Sequence, residues 1–137
     1  MSPPVRRVIA VVVACGGAIG IVRLLEQLAH QVTMPAGLDP TNIDQVKLAL
    51  ERGEFPFASL ALVLSGWLLA AYTGSRIATR IGRARIASLA FTVIFTAFIV
   101  RELMLLPHPA WMWIGGALGT PLIALGAAGE SITVRGF

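Results

Sequence analysis

Six ionisable residues sit at the margins of long apolar runs, where a charge is costly to hold. Arg23, Glu26 and His30 follow one another at helical spacing near the end of the first run, and Arg101, Glu102 and His108 close the third. A carboxylate beside an imidazole can pass a proton, accept a cation or orient a polar ligand, and arginines supply counter-charge. An ionised group at mid-depth in hydrocarbon costs at least ~2.5–3.5 kcal/mol, so such residues are functional candidates by default. Depth argues the other way. Arg23 and Arg101 stand ~22 Å from the inner ends of their runs at 1.5 Å per residue, already near an interface. The reading preferred from sequence is a charge network tying the outer helix ends, with pairing across helices. A ligand, proton or ion site ranks second.

Metal and enzyme chemistry rank last. His30, His108 and a carboxylate are metal-type ligands, but no HExxH or comparable spacing holds them together, so no metal is assigned. The chain has no phosphate-binding glycine loop, no nucleophile elbow and no CxxC, so no cofactor and no catalytic residue is named.

The elements that must position these residues are four apolar runs, 8–28, 57–71, 86–100 and 110–128, within 137 residues. Each approaches the ~20 residues that a helix needs to cross ~30 Å of hydrocarbon. A mean hydropathy of +0.80, with 56% hydrophobic and 13% charged residues, excludes an ordinary soluble domain. A soluble bundle would show a polar stripe at helical spacing, whereas IASLAFTVIFTAFIV carries no charge on any face. The expected fold is all-α: one transmembrane domain over 1–137, a four-helix bundle with a short interfacial helix in the first outer loop. Spans are expected at about 8–30, 56–75, 86–106 and 110–129, with an outer loop at 31–55 and a cytoplasmic loop at 76–85.

The net charge of +4 does not point to nucleic acid, because the basic residues are placed as a topology signal. Arg6 and Arg7 precede the first span, and Arg76, Arg80, Arg83 and Arg85 lie between the second and third. The first loop holds two basic and four acidic residues instead (Lys47, Arg52; Asp39, Asp44, Glu51, Glu54). The positive-inside rule then puts both termini and the 76–85 loop in the cytoplasm of a bacterial inner membrane. Arg76, Arg80, Arg83 and Arg85 are expected to meet lipid phosphates there.

Met34-Pro35, Gly37 and Asp39-Pro40 break the chain after the first span. A short helix follows from about 42 to 52, with Thr41 as its expected cap. Ile43, Val46 and Leu50 share one side of it, as on a helix lying over the bundle mouth. Small residues recur at helix-contact spacing: Gly16 and Gly20; Gly66, Ala70 and Gly74; Gly115, Gly119, Gly126 and Gly129. Such faces let backbones approach closely in lipid, within the monomer or against a second copy or partner. On the first span, Gly16, Gly20, Arg23, Gln27 and His30 fall within a ~60° sector, so the polar residues are expected to continue a protein-facing stripe. Pro121 is expected to kink the fourth span, and Trp111 and Trp113 to sit in an aromatic belt. Cys15 is the only cysteine; it reads as a small packing residue in preference to a lipidation site.

Glu26 and His30, the Met34-Pro35-Ala36-Gly37-Leu38-Asp39 loop, Gly66-Trp67 with Gly74 and Ala78, and the Pro107-His108-Pro109-Ala110-Trp111 turn resemble a family of small bacterial four-helix inner-membrane proteins with no assigned activity. The likeness covers nearly the whole chain, and the Pro-His-Pro-x-Trp turn is its most specific element; Arg101-Glu102 departs from it. The resemblance implies architecture and not activity. From the residues, the preferred function is a non-enzymatic accessory or structural membrane subunit. The alternative is a small-solute or ion-conducting protein with a path past Thr92, Thr96 and Glu102, and the third is an enzyme of lipid or envelope metabolism. In either of the first two readings Glu26, His30, Glu102 and His108 converge at the outer end, beneath the loop helix as a lid.

Overall fold

The computed structural model describes residues 1–133, with side chains to residue 130. It is all helix among the described residues: α1 (Pro3–Thr33), α2 (Ile43–Glu51), α3 (Phe57–Gly82), α4 (Arg85–Leu105), and a fourth span of α5 (Ala110–Trp113), a π-helical segment (Ile114–Gly119) and α6 (Thr120–Thr133). Four of these helical stretches are long and apolar enough to cross a membrane. The chain is thus an all-α, membrane-type four-helix bundle. The C-terminus, expected in the cytoplasm, lies outside the described residues.

The bundle is built with small residues inside and large ones outside. Ala10, Ala14, Ala18, Ala70, Ala71, Ala78 and Ala87 are buried, while Val8, Val12, Val93, Ile94, Leu118 and Leu122 are exposed. A soluble protein would reverse this. In lipid the outside is already apolar, and close backbone approach is what draws helices together. α3 is the hub, packing on α1, α4 and α6, and no such close approach joins α1 to α6. One larger cluster interrupts the alanines: Trp67, Phe91, Phe95, Ile99, Leu103 and Met112 fill the middle and the α2 end.

The face that α1 presents differs from the expected one. Ala10, Ala14, Ala18, Val22 and Ala29 are buried, whereas Gly16, Gly20, Arg23 and Gln27 are exposed and a Cβ at Gly16 or Gly20 would meet nothing within 4 Å. Both stripes carry small residues four apart, but the alanine stripe runs nearly the length of the helix and meets a complementary glycine ladder on α3. A Cβ at Gly82 would stand 3.4 Å from that of Ala10, and one at Gly66 would stand 3.0 Å from that of Leu25. Gly16 and Gly20 cover a single turn and have no such partner. α1 also starts five residues earlier than expected, because Pro3 and Pro4 occupy first-turn positions where a missing N–H costs nothing.

The expected 76–85 loop shrinks to Arg83 and Ala84, since α3 runs on to Gly82. Arg83 closes α3 in the left-handed conformation (φ 51°), its N–H donating to the Thr79 carbonyl. Asn42, not Thr41, caps α2: its side-chain oxygen accepts from the Asp44 and Gln45 N–H groups, while Thr41 gives its N–H and hydroxyl to Asp39. At Pro121 the backbone widens into the π segment just ahead, and Thr120 directs both its N–H and its hydroxyl to the Gly116 carbonyl. Trp111 and Trp113 are half-buried against the core, Trp111 also resting on Phe57 with ring centroids 5.1 Å apart. Cys15 is half-buried against the core as well.

Candidate functional site

At the α2 end the first three spans, α1, α3 and α4, do not close on each other. A cavity of ≈ 380 Å³ remains there, and its walls include Glu26, His30, Glu102 and His108 together with Arg23 and Arg101. Helix geometry explains the gathering: Arg23, Glu26 and His30 occupy the last turns of α1, Arg101 and Glu102 the last turn of α4, and His108 the turn that follows. Ile43, Val46 and Leu50 of α2 and Phe55 of the loop form its roof. Among the described residues no cluster of three or more His, Cys, Asp or Glu is arranged to hold a metal ion.

The ion pairs run within helices rather than between them, unlike the cross-helix pairing expected. Arg23 Nη1 donates to Glu26 Oε2 at 3.0 Å, and Arg101 Nη1 donates to Glu102 Oε1 at 2.9 Å. The i,i+3 spacing sets Arg23 beside Glu26 on one helix face, whereas Arg101 and Glu102 are adjacent in sequence and meet only because both side chains are long enough to bend toward each other. The two pairs share an orientation. The arginine side chains are 61% and 65% exposed, the glutamates only 20% and 16%. Positive charge therefore lies outward and negative charge inward on both helices.

Trp67 forms the floor between them. It is 1% exposed, and its indole Nε1 is buried without a hydrogen-bond partner, close to but not properly aligned with the Glu26 carboxylate. His108 stands edge-on to the same indole, with ring centroids 5.8 Å apart. Its Nδ1 lies 3.0 Å from the Leu106 carbonyl oxygen; a carbonyl only accepts, so Nδ1 carries the proton. Burial holds the His108 imidazole below its ordinary pKa, partly offset by the backbone carbonyls and Glu102. Sequence reasoning singled out the two glutamates and two histidines but gave Trp67 no role. A lone Trp after a glycine reads as packing, and only the orphaned N–H in three dimensions marks it.

The opposite end holds the arginines. Arg80, Arg83 and Arg85 are exposed there, but Arg76 is engaged inside the protein: its Nη1 lies 2.9 Å from both Glu130 Oε2 and the Tyr72 hydroxyl. Arg76, expected at lipid phosphate, is in addition held by this ion pair, since Glu130 on α6 comes within reach of α3. Arg6 Nε is buried there without a partner. Between the two ends, Thr92 is buried and gives its hydroxyl to Ser88 of its own helix, and Ser75 and Ser88 link α3 to α4 at 2.6 Å. Compared with known proteins, the chain matches no family model, no curated protein and no solved structure.

Proposed function

We propose that this chain is a non-enzymatic multi-pass subunit of the bacterial inner membrane that works by binding, through the cavity at its α2 end. The observation that carries the reading is the convergence of two mostly buried carboxylates, two imidazoles and an unpartnered indole N–H on one roofed space. Its volume of ≈ 380 Å³ falls in the range of small-ligand sites, ~300–1,000 Å³. The orientation rests on the arginines: with Arg6, Arg7, Arg80, Arg83 and Arg85 at the other end, the positive-inside rule puts the cavity on the outer face and the termini in the cytoplasm. The Pro107-His108-Pro109-Ala110-Trp111 turn supports kinship with the small four-helix family it resembles.

The rival reading, conduction past Thr92, Thr96 and Glu102, meets an obstacle directly below the cavity. Trp67, Ile99 and Leu103 converge on Gly116 of the fourth span, where an added Cβ would stand 3.1–3.2 Å from all three side chains. No polar route continues through that layer, and the Thr92 hydroxyl is already satisfied. Purified protein in liposomes is expected to give no selective ion or solute flux above empty vesicles, and to co-purify with a stoichiometric membrane partner from gentle detergent. Robust selective flux abolished by Glu102→Gln would replace the binding reading with transport.

A further inference from the structure

The charge order of the cavity selects its ligand. Each glutamate spends one oxygen on its arginine, Oε2 of Glu26 and Oε1 of Glu102, leaving the second oxygen of each carboxylate available to a ligand in the cavity. Two carboxylates facing one confined space, each with an oxygen its arginine does not use, suit a group bearing several N–H bonds, since hydrogen bonds to a charged acceptor are the stronger ones. The arginines face the other way. With side chains 61% and 65% exposed beside the cavity, each still has guanidinium N–H groups free for an outer anion. The four charges sum to zero, so a ligand of either net charge would leave one pair of groups opposed. From the sequence positions, Arg23 lies about one turn deeper along α1 than Glu26, which puts the cation on the lipid side and the carboxylate on the aqueous side.

The geometry points to a phosphate–primary-ammonium zwitterion, carried as the headgroup of an aminophospholipid such as phosphatidylethanolamine. Its phosphate lies against Arg23 and Arg101, and its ammonium is held between Glu26 and Glu102. This inference rests on the binding reading above and names the ligand of that site. The phosphate is the deeper of the two headgroup charges in a bilayer, in the same order as the arginine and the carboxylate on α1. The apolar walls, among them Leu60, Val63 and Leu105, suit the upper parts of the acyl chains. The Trp67 N–H adds a donor that a phosphate or the Glu26 carboxylate can take once the ligand draws the side chains together. A choline headgroup carries the same charges but no N–H, and phosphatidylglycerol carries no cation, so the site distinguishes all three.

Native mass spectrometry of the full chain in mild detergent, titrated with each lipid, tests the assignment. Phosphatidylethanolamine is expected to be retained about ten-fold more tightly than the choline or glycerol lipids, the scale of one charge-assisted hydrogen-bond set. Glu26→Gln with Glu102→Gln is expected to bring it down to the choline level, while Gly16→Ala, on an open face away from the cavity, leaves retention unchanged. The wild-type lipid series is decisive even if the double variant does not fold. Equal retention of the ethanolamine and choline lipids, or preference for phosphatidylglycerol, overturns the zwitterion assignment and leaves the binding reading standing if Trp67 fluorescence still responds in a Trp111→Phe, Trp113→Phe background. Failure of every lipid and of soluble phosphoethanolamine overturns both. Soluble phosphoethanolamine competing as strongly as the lipid overturns the lipid source and keeps the chemistry.

Discussion

At His108 the protein holds an imidazole where its charged form is disfavoured. Burial lowers its pKa below the ordinary value of about 6.5. The unfolded chain therefore binds more protons than the folded one as pH falls through that value, and stability drops with it until the folded pKa is passed. Thermal melts of the detergent-solubilised protein between pH 7.5 and 5 are expected to show a falling midpoint, and His108→Gln to flatten the profile. A steeper loss in the variant would mean that another group carries the acid sensitivity. The ionisable residues of this site were legible because depth can be counted along a helix at ~1.5 Å per residue, and the counts for Arg23 and Arg101 match. Their partners were not. Pairing within a helix or between helices depends on which face each helix turns inward, and hydropathy leaves that open when apolar residues cover every face.

The helices themselves were legible in number and near position, since apolar length alone sets a span. Their contact faces were less so. On α1 two stripes of small residues competed, and the alanine stripe won because α3 carries its complement. Gly74→Ala tests the face that α3 turns to α4: the added Cβ would stand 2.2 Å from the Phe91 ring, an overpacking expected to cost ~1–3 kcal/mol. Gly16→Ala, with open space around it, is expected to be neutral or slightly stabilising. Denaturant titrations of the two variants that give equal midpoints would overturn the assignment of a packed face to Gly74 and an open one to Gly16. A second test lies in the polar tie between spans. Ser75 gives its only hydrogen to the Ala124 carbonyl, so Ser88 must be the donor in the Ser75–Ser88 contact, and α3, α4 and α6 meet there. Ser75→Ala is expected to cost ~0.5–2 kcal/mol, the range measured for hydrogen bonds between membrane helices. Nothing in the sequence singles out Ser75, whose partner is a backbone carbonyl 49 positions away.

Across the whole molecule the two ends are unlike, and that asymmetry is the ground for the proposed orientation. One end carries Arg6, Arg7, Arg80, Arg83 and Arg85; the other carries the acidic loop, α2 and the cavity. The lid is the loosest part of the assembly, since α2 has no extensive close backbone approach to any span and reaches the cavity through side chains. Its N-terminal end is ordered by the Asn42 cap and by the Thr41 contacts to Asp39, which hold the Asp39 carboxyl below the usual carboxylate range. A ligand arriving from the outer leaflet then need only displace α2, while one from the cytoplasm would have to pass the Trp67, Ile99 and Leu103 layer. Both consequences require the α2 end to face outward. In a Cys15→Ala background, Gly37→Cys in the loop and Arg83→Cys between α3 and α4 place single thiols at opposite ends. A membrane-impermeant maleimide added to spheroplasts is expected to label the first and spare the second until the membrane is permeabilised. Labelling of Arg83→Cys alone would invert the protein, put the cavity on the cytoplasmic side and require its ligand to come from the inner leaflet.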